Sequence, residues 1–377
     1  MSTSPEAVPP KRRARLADVA AVAGVSKGAV SRVLNGGASP VRISDGTRER
    51  ILAAARQLDY EPNAAARALG RRRTETIALI IPGATEQEHR GHRFSHLKLS
   101  ETLSGIDAAT AARGYHVLLQ IADTDPFEDP RHHRIWKNGA VDGILWIAMP
   151  LTPQVNSLRV PVVAINSMPT AEIDAATFNA DHYGGARMAT RHLIRLGHTA
   201  VAHIAAPRDS WAGRERLRGY HDAMAEAGLT PFVSTGDGFE ESGVQQMQNV
   251  LATSPRTTAI FVGGDLMAVG ALRVASLAGV KVPHDLAIVG MDGVKVCLYT
   301  TPSLTTVKMH MHALAKRAAT SLLDQIESVA SAPAHVTAPM ELHIRESCGF
   351  PTSMPPLSPS VPVTDLDQLE YPPLVST

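Results

Sequence analysis

The sequence predicts a small all-α head joined to a larger α/β body. Three observations carry this. Between Leu16 and Tyr60, apolar residues recur at helical spacing in three short segments. From Thr76 onward, short apolar runs alternate with amphipathic helical patterns, the texture of a parallel sheet covered by helices. The charge divides at the same place. Residues 1–73 hold 14 Lys and Arg against 6 Asp and Glu, a net +8, while the rest of the chain is net −7 and the whole only +1.

The head reads element by element. "LADVAAVA", Leu16 to Ala23, places apolar residues at 16, 19, 20 and 23. Gly24 permits the left-handed backbone of a tight turn. Ser26 is placed as N-cap of a second helix, Lys27 to Leu34, which stops at "NGG". A third helix starts near Ser44, with Ile51, Leu52, Ala55 and Leu58 expected on one face. Helix, tight turn, helix is the pattern that presents the second helix to the DNA major groove. Ser26, Lys27, Gly28, Ser31 and Arg32 are expected on its outward side, with Ala29, Val30 and Val33 inward. Arg32 has the guanidinium that guanine O6 and N7 accept in bidentate fashion, and Lys27 suits a base or a phosphate. Gly28 offers no side chain to read with. A basic patch over such a pattern is the electrostatic footprint of nucleic-acid binding; the alternative is a basic arm on an ordinary helical hairpin.

In the body, "TIALIIP", "HVLLQIA", "VDGILWIA", "PVVAIN", "TAVAHIAAP", "TAIFVGG" and "LAIVGMD" read as strands. "LSETLSGIDAATAARGY", "GGARMATRHLIRLGH", "GRERLRGYHDAMAEAG" and "DLMAVGALRVASLAG" read as helices. About nine to eleven strands are expected, a number natural for two lobes. After Gly349 the chain turns rich in Pro and Ser without periodicity and reads as a disordered tail. The N-terminal stretch has no apolar core, so no secretory signal is expected. No membrane contact is expected either. Two cysteines, Cys297 and Cys348, make no disulfide framework and no four-ligand zinc set. They fit a reducing compartment, and a cytoplasmic location is expected.

Enzyme signatures are missing: no Gly-x-Ser-x-Gly elbow, no phosphate-binding "GKT" loop and no dinucleotide glycine fingerprint after a first strand. No cofactor is expected. His89, His92 and His96 lack a second strong ligand pair for a metal. Asp123, Asp125 and Asp129 lack the glycine and spacing of a calcium loop.

The stretch "LADVAAVAGVSKGAVSRVLNG…VRISDGTRERILAAARQLDYEPNAAARAL" resembles the N-terminal region of the LacI/GalR family of bacterial repressors. The likeness continues through "VDGILW", "HLIRLGH", "RERLRGYHDAM" and "MDGVKV…TTPSLTTV", covering roughly residues 15–348. It implies an all-α helix-turn-helix head and an α/β periplasmic-binding-protein-like body of two Rossmann-like lobes, with three crossovers and a ligand between them. The implied domains are a basic tail (1–14), the DNA-binding head (15–61), a hinge helix and linker (62–75), the effector-binding and dimerisation body (76–350) and a tail (351–377). The implied function is a repressor of operator DNA, a homodimer more readily than a tetramer, controlled by a small metabolite. A sugar or sugar derivative is favoured over a purine or nucleoside. A sugar-binding protein of transport type shares the body but lacks the head.

By resemblance, Arg216, three residues before Gly219, contacts the effector, and Asp292 in "VGMDG" accepts hydrogen bonds from it. Asp265 is expected to cap the helix that follows it, and Gly264 stands where asparagine is frequent in the family. Phe239 offers a stacking ring. After the first strand the chain departs from the family: counting back from Gly105 sets Lys98 and Leu99 where pocket aromatics are usual, and a lysine there suggests an anionic effector.

"EPNAAARALGRRRT" matches the family's hinge helix. About two turns with one large apolar residue are marginal alone in water. Asn63 opens the helix; Ala64, Ala65 and Ala66 allow close packing across a dimer axis; Leu69 is the wedge that enters the minor groove. Arg67 and Arg71–Arg73 are placed to hold phosphates. Leu69→Ala is expected to weaken operator binding sharply in a gel-shift titration while effector affinity stays unchanged; unchanged operator affinity and bending would remove the wedge.

Overall fold

The computed structural model describes residues 14–35, 43–61, 73–83, 97–123, 125–168, 170, 172–328 and 335–349. The hinge residues Asn63, Arg67 and Leu69, the histidines 89, 92 and 96, and the C-terminal tail lie outside these. The chain divides into two compact units, Met1–Thr76 with Gly139–Asp142, and Ile77–Asn138 with Gly143–Thr377.

In the first unit, α1 (Leu16–Ala23), α2 (Lys27–Asn35) and α3 (Asp45–Gln57) form the head. Asp18 accepts the Arg15 amide at 2.8 Å, satisfying a free donor at the start of α1. Gly24 closes that helix at φ +65°, where a side chain is disfavoured. The Ser26 hydroxyl accepts the Ala29 amide at 3.2 Å and caps α2. Val19, Ala20, Ala23, Val30, Ile51, Ala54 and Ala55 make a small core. Leu52 departs from expectation and is 39% exposed. The inward stripe runs 51, 54, 55 and 58, so a residue one position on from Ile51 is turned about 100° away. In the same unit, Asp142 takes the amides of Thr74 and Glu75, both at 2.8 Å, and ties down the end of the linker.

The second unit contains two six-stranded sheets. The N-terminal strands are β1 (Thr76–Pro82), β2 (His116–Ala122), β3 (Gly143–Ile147), β4 (Val162–Ile165) and β5 (Ala176–Ala180). The C-terminal ones are β6 (Val201–Ala205), β7 (Phe232–Thr235), β8 (Ala259–Val262), β9 (Ala287–Asp292) and β10 (Thr305–Lys308), and then come β11 (His335–Ala338) and β12 (Glu341–His343). Strand order is β11-β5-β4-β3-β1-β2 in one sheet and β12-β10-β9-β8-β6-β7 in the other. The chain therefore crosses between sheets three times, after β5, after β10 and after β11. These are two doubly wound lobes, as the resemblance implies.

The helices are α4 (Leu97–Ala112), α5 (Pro130–Lys137), α6 (His182–Arg195), α7 (Trp211–Glu226), α8 (Glu240–Thr253), α9 (Asp265–Leu277) and α10 (Met311–Ile326). Three pairs pack closely: α4 with α10, α6 with α7, and α8 with α9. A glycine stands at each approach. A Cβ on Gly105 would lie 2.2 Å from the His312 carbonyl, one on Gly219 2.4 Å from that of Tyr183, and one on Gly270 2.1 Å from that of Glu240. The largest core cluster takes in side chains from both sheets and from α10.

Each sheet reverses its strand order beside its first strand, between β1 and β3 and between β6 and β8. Crevices for ligands open at the carboxyl ends of strands at such points. In the C-terminal lobe the loop after β9 is braced from below by Asp265. This residue does not cap the helix as expected: Gly264 is the N-cap and Asp265 is the first helical residue. Its carboxylate instead accepts the amides of Gly293 at 2.7 Å and Val294 at 3.0 Å and the Thr306 hydroxyl at 2.6 Å. Burial, then the neighbouring Asp292 charge, raise its carboxyl to about 6. The folded state thus holds this proton above the usual 3.8. The group's contribution to stability is full below that value and is lost as pH rises through about 6. Asp265→Asn keeps an acceptor for both amides and a donor for Thr306. Urea denaturation from pH 4 to 7 is expected to show a shallower fall in stability for Asp265→Asn than for the parent; parallel curves would contradict this.

Candidate functional site

Three of the residues picked out in the sequence meet at one point. Asp292 is the last residue of β9 and is 4% exposed. Arg216, on α7 and 3% exposed, donates to its Oδ1 at 2.9 Å. Lys98, at the start of α4, reaches its Oδ2 at 3.2 Å and Oδ1 at 3.3 Å. One carboxylate therefore joins the helix that packs under the N-terminal sheet to a helix and a strand end of the C-terminal one. A buried charge without partners is expensive, and here two cations and good geometry supply them. The Arg216 guanidinium also donates to the Gly263 carbonyl, at the end of β8. Burial pulls the Lys98 ammonium below its ordinary value, and the Asp292 carboxylate partly restores it.

A second layer was not foreseen from the sequence. His182, the first residue of α6 and 2% exposed, takes Arg216 Nε at its Nδ1, 3.4 Å away. Its Nε2 faces Asn166 Oδ1 at 3.2 Å. An arginine can only donate and a carbonyl oxygen can only accept, so Nδ1 is the acceptor and Nε2 carries the proton. Burial, then the charges of Arg216 and Lys98, hold this imidazole neutral well below its ordinary value. Asn166 Oδ1 accepts the Ala180 amide as well, at 3.1 Å. The signal lies in "NADHYGG", where polar residues gather at a strand-to-helix junction, but Thr177 and Asn179 interrupt the apolar run of β5 and hide the strand.

Backbone strain gathers at the same strand ends. Ala148 after β3, Asn166 after β4 and Asp292 at the end of β9 have φ of +54°, +51° and +135°. Residues other than glycine occupy this region at a cost, and such sites cluster where ligands are held. Asp292 is kept there by its carbonyl, which accepts the Met309 amide at 3.0 Å, and by the Asp265 brace.

The remaining expectations fall elsewhere. Leu99 packs against the main core, so its part is structural. Phe239 is half-buried and is the N-cap of α8, after the edge strand β7. Gly264 has extended backbone, and a Cβ there would lie 3.7 Å from Asp292 Oδ2, so a side chain fits beside the site. On the head, Ser26, Lys27 and Gly28 are exposed, while Ser31 and Arg32 are half-buried. Arg32 Nε rests on the Gly28 carbonyl at 3.0 Å. Among the described residues no cluster of His, Cys, Asp or Glu is arranged to hold a metal ion, and no helix is long and apolar enough to cross a membrane.

The chain is similar to known proteins along most of its length. Residues 15–63 match the family described as bacterial regulatory proteins, lacI family, and residues 190–348 match the periplasmic binding protein-like domain. The HTH-type transcriptional regulator CelR of Thermobifida fusca is 34% identical over 345 residues, covering 89% of this chain and 99% of the relative. A solved CelR–cellobiose complex is 33% identical, with a TM-score of 0.65 over 89% of this chain and 100% of that one. The lac repressor dimer bound to operator and an anti-inducer is 26% identical, with a TM-score of 0.77 over 89% of this chain and 99% of that one. Proteins of this group are transcriptional regulators and not enzymes. With a helix-turn-helix head and a two-lobed body that match along nearly their whole length, the chain belongs to the LacI family of bacterial DNA-binding transcription regulators.

Proposed function

We propose that this regulator is a cytoplasmic, homodimeric repressor whose operator affinity is set by a sugar bound between its lobes. The observation that carries the reading is the group of buried Asp292 and Arg216 with half-buried Lys98, drawn from both lobes. Fixed donors and one fixed acceptor suit the mixed donor and acceptor character of hydroxyls. The charges there nearly balance. Lys98 and Arg216 face Asp292; Asp265 lies beneath; and Glu101, one turn after Lys98, feels the Lys308 charge first and that of Asp292 as well. This balance favours a neutral polyol over the anionic effector that Lys98 alone suggested. The cellobiose bound by the CelR relative supports the same class.

A homodimer is supported by exposed apolar side chains. Leu277, Leu298 and Tyr299 of the C-terminal lobe are 76%, 54% and 72% exposed, and Val117, Leu118 and Leu119 form an uncovered run on the edge strand β2. Lone exposed apolar residues need no explanation, but runs on an edge strand invite a partner. The lac repressor neighbour, solved as a dimer on its operator, points the same way. Two heads then read two half-sites, using Ser26, Lys27, Ser31 and Arg32 for bases and phosphates and the hinge for the minor groove.

The test is a thermal-shift screen of neutral sugars, sugar acids and nucleosides, followed by calorimetry on hits. A neutral sugar is expected to raise the melting temperature. Arg216→Ala and Asp292→Asn are expected to weaken its binding by about 30-fold or more, while operator binding in gel shift persists. A response confined to nucleosides, or binding that survives both substitutions, would overturn the reading.

A further inference from the structure

We propose that Trp211 is the platform on which the apolar face of the bound sugar ring lies, while Arg216 and Asp292 take its hydroxyls. This rests on the sugar reading above and adds a residue to it. Trp211 opens α7 directly after β6, at the carboxyl edge of the sheet where strand order reverses between β6 and β8. The same reversal holds Gly263, whose carbonyl takes the Arg216 guanidinium. Trp211 also meets the ion group through a single side chain. Its indole stands edge-on to His182 with ring centroids 5.4 Å apart, and His182 takes Arg216 Nε.

His182 has both ring nitrogens engaged, one by Arg216 and one by Asn166. Its remaining use is its ring surface, which holds the indole upright. The backbone around Trp211 is fixed as well. Ser210 Oγ accepts the Gly213 amide at 3.0 Å and donates to the Pro207 carbonyl at 2.9 Å. The Arg214 guanidinium closes the loop onto the Asp209 carbonyl at 2.9 Å. A Cβ on Gly213 would lie 2.0 Å from the Pro207 carbonyl, so the turn is packed without slack. A half-buried indole is thereby held against His182, the side chain that bonds Arg216, before any ligand arrives.

The chemistry of a pyranose asks for this combination. Its hydroxyls form a rim that needs donors and acceptors, and its axial C–H bonds make an apolar face that needs a large flat partner. An aromatic ring supplies that area, and tryptophan supplies the most. Phe239, the ring singled out in the sequence, follows the edge strand β7, beyond β6 from the reversal.

The three tryptophans make the test direct. Trp136 and Trp146 are 2% and 1% exposed in the N-terminal lobe, so Trp211 is the half-buried one. The intact chain and its Trp211→Phe and Trp211→Ala variants are titrated with cellobiose, glucose and ribose, following emission and heat in parallel. The sugar that gives heat is expected to change the emission of the parent and leave that of Trp211→Phe unchanged. Trp211→Ala is expected to bind it about tenfold more weakly, and Trp211→Phe to stay within about threefold of the parent. Melting temperature and operator binding of each variant verify folding, and the phenylalanine variant carries the emission test if the alanine variant does not fold. Binding heat without an emission change, or Trp211→Ala binding as tightly as the parent, overturns the platform while leaving the sugar reading intact. No heat from any of the three sugars overturns both.

Discussion

The rest of the site depends on one buried carboxylate. Asp292 sits at the end of a central strand, in a backbone conformation a side chain rarely adopts, with almost no access to water. A charge in that position must be paired, and its partners come from α7 and from α4, two distant stretches of chain. The strand end is further held by Asp265, whose carboxylate binds two amides of the next loop and is itself kept partly protonated by burial. The geometry of a small polar cluster is thus imposed by electrostatic necessity. Removing Asp292 leaves the Arg216 guanidinium and the Lys98 ammonium without their carboxylate, and removing Asp265 leaves two amides of the next loop without their acceptor.

The same necessity joins the lobes. Lys98 belongs to the helix that packs against α10, and α10 lies under strands of the N-terminal sheet although it follows β10 of the other. His182 begins α6, the first helix after the chain leaves β5, and it bonds both to Asn166 at the end of β4 and to Arg216. A ligand that shares hydrogen bonds with Asp292 and Arg216 therefore competes with, or completes, contacts made between two sheets. That is the physical requirement for an effector to act at a distance: it must bind two arrangements of the protein with different affinity.

Much of this was legible in the sequence, for reasons particular residues show. Strands of a parallel sheet are uniform apolar runs, so "TIALIIP" and "HVLLQIA" read residue for residue as β1, which is buried, and β2, which lies exposed at the edge. The capping serine and the left-handed glycine of the head are local chemistry, and Ser26 and Gly24 do what their types predict. Arg216, Asp292 and Lys98 came from resemblance and from counting along the chain, but that they touch one another is tertiary and no spacing reveals it. The misses have the same origin. Strands β5 and β10 carry buried polar residues that bond within the fold, Thr177 to His335, Asn179 to the Ser167 amide and Thr306 to Asp265, and these break their apolar pattern. Asp265 looked like a helix cap because its position fits one; only the fold brings the β9 loop and Thr306 within its reach. Leu52 fails by a single helical step, the margin at which a three-helix core is decided.

The most direct measurement of the central claim is the affinity of the intact protein for an operator selected from a random DNA pool, with and without a saturating bound sugar. The sugar is expected to shift operator affinity by about 5- to 150-fold in the parent, and the shift is expected to vanish in Asp292→Asn. A sugar that binds tightly through this site while operator affinity stays the same would contradict it, because the cluster would then hold a ligand without biasing the protein between its two states.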